Sequence, residues 1–454
     1  MNGQLYDVTI TKLVNGGQGL GALPDGRTVF VWNTLPGEVV RARIIKQKRH
    51  YTDAIAEEVI TASPDRIAPQ EVNYLATSPW QIMSPKAENQ HKIEIVRELF
   101  THAHIATDAF DLHIPSGQSP EFNLKHSKVG RISRQSYGLK SQEQSSGDAS
   151  EPGLYQYRNK MEYSFWGDDN GLHLALYRRG SHAKHIVNGS ALALPAVDAA
   201  ARAICAQLQA QAIRAADLKS VVVRCDQAGN AVAALYVKPQ RFVPLQLSPE
   251  LQGIRVYHSN PKSPASVATK LLQQSGQCEL TDSLLGRNFM YDVDSFFQVN
   301  LPVYEQALAD IMYQCQGDPV DMYAGVGSIG LSIAKKHVTL VELDASTAAM
   351  ARRNAEAAPL DATVIQQSTE QSLGHITAAQ PVIFDPPRAG LHPAVITRCL
   401  QALPPQILYL SCNPVTQARD VTLLQEAYTI TYLRIFNFFP RTPHIETLAV
   451  LRLR

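Results

Sequence analysis

Ile407-Leu408-Tyr409-Leu410-Ser411-Cys412-Asn413-Pro414-Val415-Thr416 is the stretch that organises the chain. The apolar run Ile407 to Leu410 reads as a buried parallel strand. It stops at Ser411-Cys412-Asn413-Pro414, and Val415 to Leu424 has helical character. Cys412 is therefore expected on a strand-to-helix turn at the carboxyl edge of a sheet, where open α/β sheets place their ligands. The positive end of the following helix would favour the thiolate there. The competing reading of Cys412 is a small buried hydrophobe.

A second stretch has the same form. Pro381-Val382-Ile383-Phe384 is a short apolar strand, and Asp385-Pro386-Pro387-Arg388-Ala389-Gly390 is the turn after it. It brings a carboxylate to the same sheet edge. Taken alone, Asp-Pro-Pro is an ordinary turn signal. Upstream, Val320-Asp321-Met322-Tyr323 leads into Gly325-Val326-Gly327-Ser328-Ile329-Gly330, a strand, a glycine turn and a helix. Val338 to Glu342 follows as a strand ending in an acid, where a ribose-binding carboxylate belongs. Dinucleotide and S-adenosylmethionine folds share this logic. The glycine spacing does not separate them.

Together, Asp385 to Gly390 and Ser411 to Pro414 resemble the RNA uracil-5-methyltransferase family. The resemblance continues through Ser295-Phe296-Phe297-Gln298-Val299-Asn300 and His444-Ile445-Glu446, and Arg158-Asn159-Lys160 also resembles a family motif near the substrate. It implies S-adenosylmethionine as methyl donor, Cys412 as the nucleophile and Glu446 as the base. It also implies a cofactor site at Gln298, Tyr323, Gly325 and Glu342. Asp385 is placed at the cofactor or at the base, and the sequence leaves the two open. Asn437 stands where the family usually has an acid, and Arg441 where His or Gln is more common. An RNA cytosine-5-methyltransferase is the nearest enzyme alternative. Such enzymes commonly have a second cysteine in the motif occupied here by Asp385-Pro386-Pro387, which argues against it. A non-catalytic RNA-binding or RNA-folding protein is the alternative from another class.

Residues 1–62 read as a small all-β unit with glycine turns, of which Leu23-Pro24-Asp25-Gly26 is a hairpin signal. It is expected to form an OB-type barrel and resembles the TRAM domain, an RNA-binding module. Arg41, Arg43, Lys46, Lys48, Arg49 and His50 fall together without an intervening acid, and in a barrel they would meet RNA phosphates. A central α+β domain is expected over 75–265, with helices over Ala87–Phe100 and Pro195–Gln211 and a strand over Tyr155–Phe165. The methyltransferase domain, of the Rossmann-like α/β class, takes 270–454. Within it, Asn300 is expected to cap a helix over Leu301–Gln314 whose apolar face includes Tyr304, Ala307, Leu308, Ile311 and Met312. Residues 115–153 are rich in Ser, Gln and Gly and read as a flexible insertion with a basic first part, Lys125 to Lys140.

Composition bounds the partners. A net charge of +1 over 454 residues excludes a globally basic nucleic-acid binder, so an RNA surface has to be a local patch. No apolar run approaches a membrane span, and Met1 to Asp7 has no signal-peptide pattern. None of the six cysteines has Cys-x-x-Cys spacing, and none precedes Cys205. Many family members hold an iron–sulfur cluster with cysteines before and around the Trp80-Gln81 and Ser190 regions. Those cysteines are missing here, so no cluster is expected. The reading is of a cytoplasmic monomer whose partner is RNA. Ribosomal RNA is expected ahead of transfer RNA, and no particular uridine is legible.

Overall fold

The computed structural model describes residues 3–108, 110, 112, 114, 153–181, 183–263 and 265–454. The Ser/Gln/Gly-rich insertion and its basic residues lie outside the described residues, apart from Gly153. Six strands open the chain: β1 Leu5–Thr9, β2 Lys12–Leu13, β3 Gly19–Ala22, β4 Thr28–Trp32, β5 Val39–Gln47 and β6 Tyr51–Thr61. They form one sheet in the order β1-β5-β6-β4-β3-β2. Among the described residues of this sheet, only β4 and β6 pair in parallel. No ladder joins β1 to β2 among the described residues. Val40, Ala42 and Ile44 alternate inward from β5 and meet Ala54 and Ala56 of β6, as a period of two requires. Arg41 and Arg43, part of the basic run expected to meet RNA phosphates, point outward but already have carboxylate partners from other strands. Arg41 pairs with Asp7 and Glu58, and Arg43 with Glu57, because neighbouring strands place carboxylates opposite them.

Helix α1 Tyr74–Thr77 and helix α2 Pro85–His102 follow. Ser84 caps α2 by accepting the Ala87 amide, with Pro85 at the first helical position. The central sheet contains β7 Lys160–Asp168, β8 Gly171–Tyr177, β9 Lys184–Ile186, β10 Leu218–Cys225, β11 Ala231–Val237, β12 Gly253–His258 and β13 Lys270–Gly276. Its order is β13-β12-β11-β10-β7-β8-β9. Helix α3 Pro195–Ala210 lays Val197, Ala200, Ala201, Ile204 and Leu208 on one face of it, at the spacing of one helical stripe. The strand expected from Tyr155 begins only at Lys160. Tyr157 and Asn159 turn inward instead and bond to Pro440 and Gln298.

A hairpin, β14 Glu279–Leu284 and β15 Arg287–Asp292, leads to the last sheet. That part holds α4 Leu301–Gln314, β16 Val320–Asp321, α5 Ser328–Ile333, β17 His337–Glu342, α6 Ala345–Ala357, β18 Asp361–Gln366, β19 Val382–Phe384, α7 Pro393–Ala402, β20 Gln406–Ser411, α8 Pro414–Leu424, β21 Tyr428–Phe436 and β22 Glu446–Leu453. The order is β18-β17-β16-β19-β20-β22-β21, parallel except that β22 runs against both neighbours. Strand order reverses between β16 and β19, which opens a crevice at their carboxyl ends. Asn300 occupies the cap position of α4, but its amide donates to the Phe438 carbonyl instead of capping. Met312 is not part of the buried face and is 40% exposed. Helix α2 packs with α8 over this last sheet, so Val96 and Phe100 share a core with Phe384 and Tyr409.

Candidate functional site

The two turns singled out in the sequence form one unit. Asn413 Nδ2 donates 2.8 Å to the Arg388 carbonyl, and Thr416 Oγ1 donates 3.2 Å to the same oxygen. Asp420 of α8 accepts the Leu391 amide at 2.8 Å and the Tyr409 hydroxyl at 2.9 Å. Gly390 adopts φ +78°, and a Cβ there would lie 2.6 Å from the Asp420 carboxylate. Only glycine combines that backbone with that contact. Hence Asp385 and Cys412 are held by the same hydrogen-bonded frame.

Strand register brings in the third residue. Ser411 of β20 lies opposite Thr447 of β22, so the next position sets Cys412 opposite Glu446. Phe384 of β19 pairs with Tyr409 of β20, and Asp385 follows it at the same edge. Cys412 is partly exposed, whereas the other five cysteines are buried. Its thiol is pushed up to about 11, first by burial and then by the charges of Glu446 and Asp385, with Arg388 opposing. The thiolate expected at the α8 N-terminus is thus not the resting form. Two acids in a poorly solvated pocket outweigh the helix end, whose Val415 amide is already taken by the Asn413 side chain. Glu446 is itself held well above the usual carboxylate range by burial and by Asp385. Asp385 is raised to about 7 by burial and by Asp321. His444 is driven down to about 4 by burial, then by Arg388, Lys92, Arg158 and Arg179.

Across the crevice, Glu342 ends β17 and accepts the Gly325 amide at 2.9 Å and the Asp344 amide at 2.7 Å. Gly325 has φ +56° and nothing within 4 Å of where a Cβ would stand, so the space above the turn is open. Tyr323 lies between β16 and that turn, its ring tilted against Phe384. Asp321 was not singled out in the sequence. One of its oxygens accepts the Gly330 amide, and the other is buried with no hydrogen-bond partner among the described residues. Leu343, also missed, leaves 67% of its surface exposed directly after Glu342. Gln298 is buried, and its carbonyl accepts from Asn159 at 3.1 Å. Its segment enters α4, and Asn300 ties that segment to Phe438. Two residues before Gln298, Phe296 holds its ring 64% exposed.

The loop from Asn437 to Ile445 that delivers Glu446 rests on buried charges the sequence did not reveal. Glu88 of α2 accepts from the Arg441 backbone and guanidinium, each at 3.0 Å, and from Asn437 at 3.0 Å. Lys92, one helical turn on, donates 2.6 Å to Asn437 and 3.2 Å to the Phe439 carbonyl. Both departures from the family pattern, Asn437 and Arg441, therefore meet the same carboxylate. At i and i+4, Glu88 and Lys92 look like an ordinary surface pair in the sequence. Arg158 stacks 5.9 Å over Phe439 with its Nε unpartnered among the described residues, and burial and Arg224 bring Lys160 down to about 8. Among the described residues no three His, Cys, Asp or Glu side chains come together to hold a metal ion.

Residues 148–454 match the profile of the family described as tRNA (Uracil-5-)-methyltransferase, and residues 1–56 match the TRAM domain. A Nitratidesulfovibrio vulgaris protein named "Uncharacterized RNA methyltransferase" is 28% identical, over 99% of this chain and 96% of its own. A Lactobacillus johnsonii protein of the same name is also 28% identical, over 99% and 98%. The crystal structure of the Pyrococcus abyssi tRNA (uracil-54, C5)-methyltransferase with S-adenosyl-L-homocysteine superposes with a TM-score of 0.71 at 20% identity, covering 98% of this chain and 100% of that one. That likeness is one of fold.

Proposed function

The chain belongs to the tRNA (uracil-5-)-methyltransferase family of S-adenosylmethionine-dependent RNA methyltransferases, and from that premise we propose that it methylates carbon 5 of a uridine in structured RNA through a covalent Cys412–uracil adduct. The observation that carries the reading is the register setting Cys412 opposite Glu446, with Asp385 at the same edge. Uracil carbon 5 is a poor nucleophile. Addition of the Cys412 sulfur to carbon 6 makes an enolate and concentrates electron density at carbon 5. The thiol proton leaves first, to the neighbouring carboxylate of Asp385, so that Glu446 stays free for the carbon-5 hydrogen. After carbon 5 has gained its methyl group, Glu446 takes the carbon-5 hydrogen. The carbon–sulfur bond then breaks and Cys412 leaves as thiolate. Asp385 also has the chemistry to accept the uracil N3–H, which cytosine lacks.

The residues at the glycine turn fit S-adenosylmethionine. Glu342 would accept the ribose hydroxyls, exposed Leu343 would meet the adenine face, and open space stands over Gly325. Gln298 and the unpartnered oxygen of Asp321 are the polar groups left for the amino-acid end. When bound, the cofactor supplies an electrophilic methyl group on a sulfonium. Tyr323 walls the turn.

We assign residues 1–62, as an OB-type barrel, to RNA capture, 75–265 to substrate contact and 270–454 to catalysis. Six free cysteines suit work in a reducing cytoplasm. Ribosomal RNA is the substrate to test first. Mapping 5-methyluridine in ribosomal and transfer RNA, with and without the gene, should show one site lost from ribosomal RNA.

The decisive variant is Glu446→Gln. It keeps the shape but cannot take the proton, so attack and methyl transfer proceed and elimination stalls. A protein–RNA adduct should survive denaturing electrophoresis and require both RNA and S-adenosylmethionine. The Cys412→Ala, Glu446→Gln double variant should form none. Normal turnover by Glu446→Gln, or inactivity without adduct, would assign the base elsewhere.

A further inference from the structure

The turn between β8 and β9, Arg178-Arg179-Gly180-Ser181, stands against the N-terminal sheet. Gly180 has φ +74°, and a Cβ there would come 2.8 Å from Ile45 of β5. Between turn and sheet is a groove of about 280 Å³, whose lining includes Arg43, Arg178, Arg179 and His185. Arg179 is the informative residue. Its guanidinium lies 4.1 Å over the Trp32 ring, and its Nε donates 2.7 Å to the Leu75 carbonyl. It makes no ion pair among the described residues. Burial alone accounts for its lowered pKa, with no carboxylate offsetting it. Holding a guanidinium this way is costly unless an anion arrives. Arg178 is exposed and likewise makes no ion pair among the described residues. The carboxylate paired to this lining is Glu57, 2.5 Å from Arg43. His185 loses basicity through burial and through Arg178, as expected in a positive field.

The surroundings suit a nucleic acid better than an acidic peptide. Trp32 lies under Arg179, and Tyr177, 55% exposed, carries Lys184 at 4.8 Å from its ring. Cations interleaved with aromatic faces are the pattern of single-strand binding. The charge of Arg179 is also felt at His444, two residues before Glu446.

We propose that the groove between the Arg178–Ser181 turn and the N-terminal sheet binds a backbone phosphate of the substrate RNA, with Arg178 and Arg179 as donors. The proposal rests on the RNA-methylating reading above. Affinity is measured by filter binding over a salt series, with bulk transfer RNA and fragmented ribosomal RNA from cells lacking the gene. Arg178→Ala should weaken binding about three- to tenfold at physiological salt and flatten the plot of log K against log salt by roughly 0.7 to 1. The RNA KM should rise while kcat at saturating RNA and cofactor affinity stay unchanged. Arg214→Ala removes an equal charge outside the groove and should leave the slope as in the wild type. Arg178→Lys should restore most of the slope, because a point charge still meets phosphate. An unchanged slope in Arg178→Ala, or an equal loss in Arg214→Ala, overturns the proposal. Specific competition by millimolar inorganic phosphate, absent with chloride of equal ionic strength, combined with an unchanged RNA slope would make the groove a free-anion site and also overturn it. A wild type that binds RNA with the predicted slopes yet transfers no methyl group would sink the enzymatic reading and leave the groove standing.

Discussion

Cys412, Glu446 and Asp385 are three acids whose protons are all retained beyond their ordinary ranges, chiefly by burial. Cys412→Ala should abolish methyl transfer while leaving S-adenosylmethionine affinity nearly unchanged, since the thiol is proposed to act on the base and not on the cofactor. Calorimetry with the cofactor, beside a transfer assay, checks both halves, and near wild-type turnover would remove the central claim. The stability consequence belongs to Asp385. Its pKa is about 7 when folded, against an ordinary 3.8. An acid raised on folding contributes stability that is complete below its unfolded pKa and is lost as pH rises through the folded value. Between about pH 5 and pH 8 the wild type should therefore lose thermal stability relative to Asp385→Asn, by roughly a few degrees. Parallel melting curves for the two proteins would show that this titration is absent. The roles proposed for these residues come from short motifs at strand ends, which name the atoms that chemistry needs. Their protonation was not legible there, because it depends on which strands become neighbours.

At the scale of elements, α8 and β22 carry the proposed reactive groups, and α2 holds the loop between β21 and β22. Arg441 sits there with φ +63°, a conformation costly for a non-glycine residue. The cost is carried by the buried Glu88, which accepts both its amide and its guanidinium. Breaking a buried ion pair by removing one partner costs roughly 3–5 kcal/mol. Glu88→Gln should lower stability by about that amount. Asn437 contacts Glu88 and Lys92 at once, so Asn437→Asp in the Glu88→Gln background moves the carboxylate by one contact. It should recover a large part of the loss, whereas Asn437→Asp alone should destabilise by adding a like charge beside Glu88. Denaturant unfolding of the four proteins gives the coupling. If the double variant is no more stable than Glu88→Gln, the carboxylate's position is irrelevant and packing alone holds the loop. Most of the elements were readable. β20, β19 and α3 follow from apolar runs and helical stripes. The strand expected from Tyr155 starts five residues late, at Lys160, because Tyr157 and Asn159 serve distant partners that alternation cannot show.

For the molecule as a whole, the N-terminal sheet is joined to the candidate site as well as to the proposed RNA groove. Leu13 and Leu35 share a core with Trp80 and the last sheet. Trp80 donates its indole N–H to the Gly17 carbonyl at 3.2 Å, and its backbone amide to the Arg441 carbonyl at 3.1 Å. None of this was legible in the sequence, where the glycine-rich stretch from Gly16 to Gly21 reads as a turn or a bent strand. The two glycines now separate two costs. Both have φ +96°, so an alanine at either position is strained by a similar left-handed backbone. At Gly16 a Cβ meets nothing within 4 Å, whereas at Gly17 it would lie 2.5 Å from Pro443 Cβ and 3.1 Å from Trp80 Nε1. Pro443 precedes Glu446 by three residues, so the clash is passed to the loop that carries the proposed base. Gly16→Ala should lose stability while keeping the rate at saturating RNA. Gly17→Ala should also slow methylation roughly ten- to a hundredfold, the scale set by displacing a reacting group about 1 Å, while its RNA affinity stays within about twofold of Gly16→Ala. Because a displaced base slows elimination, Gly17→Ala should accumulate part of the covalent adduct seen with Glu446→Gln. Equal rates and no adduct in the two alanine variants would mean that the N-terminal sheet contacts the catalytic loop without positioning it.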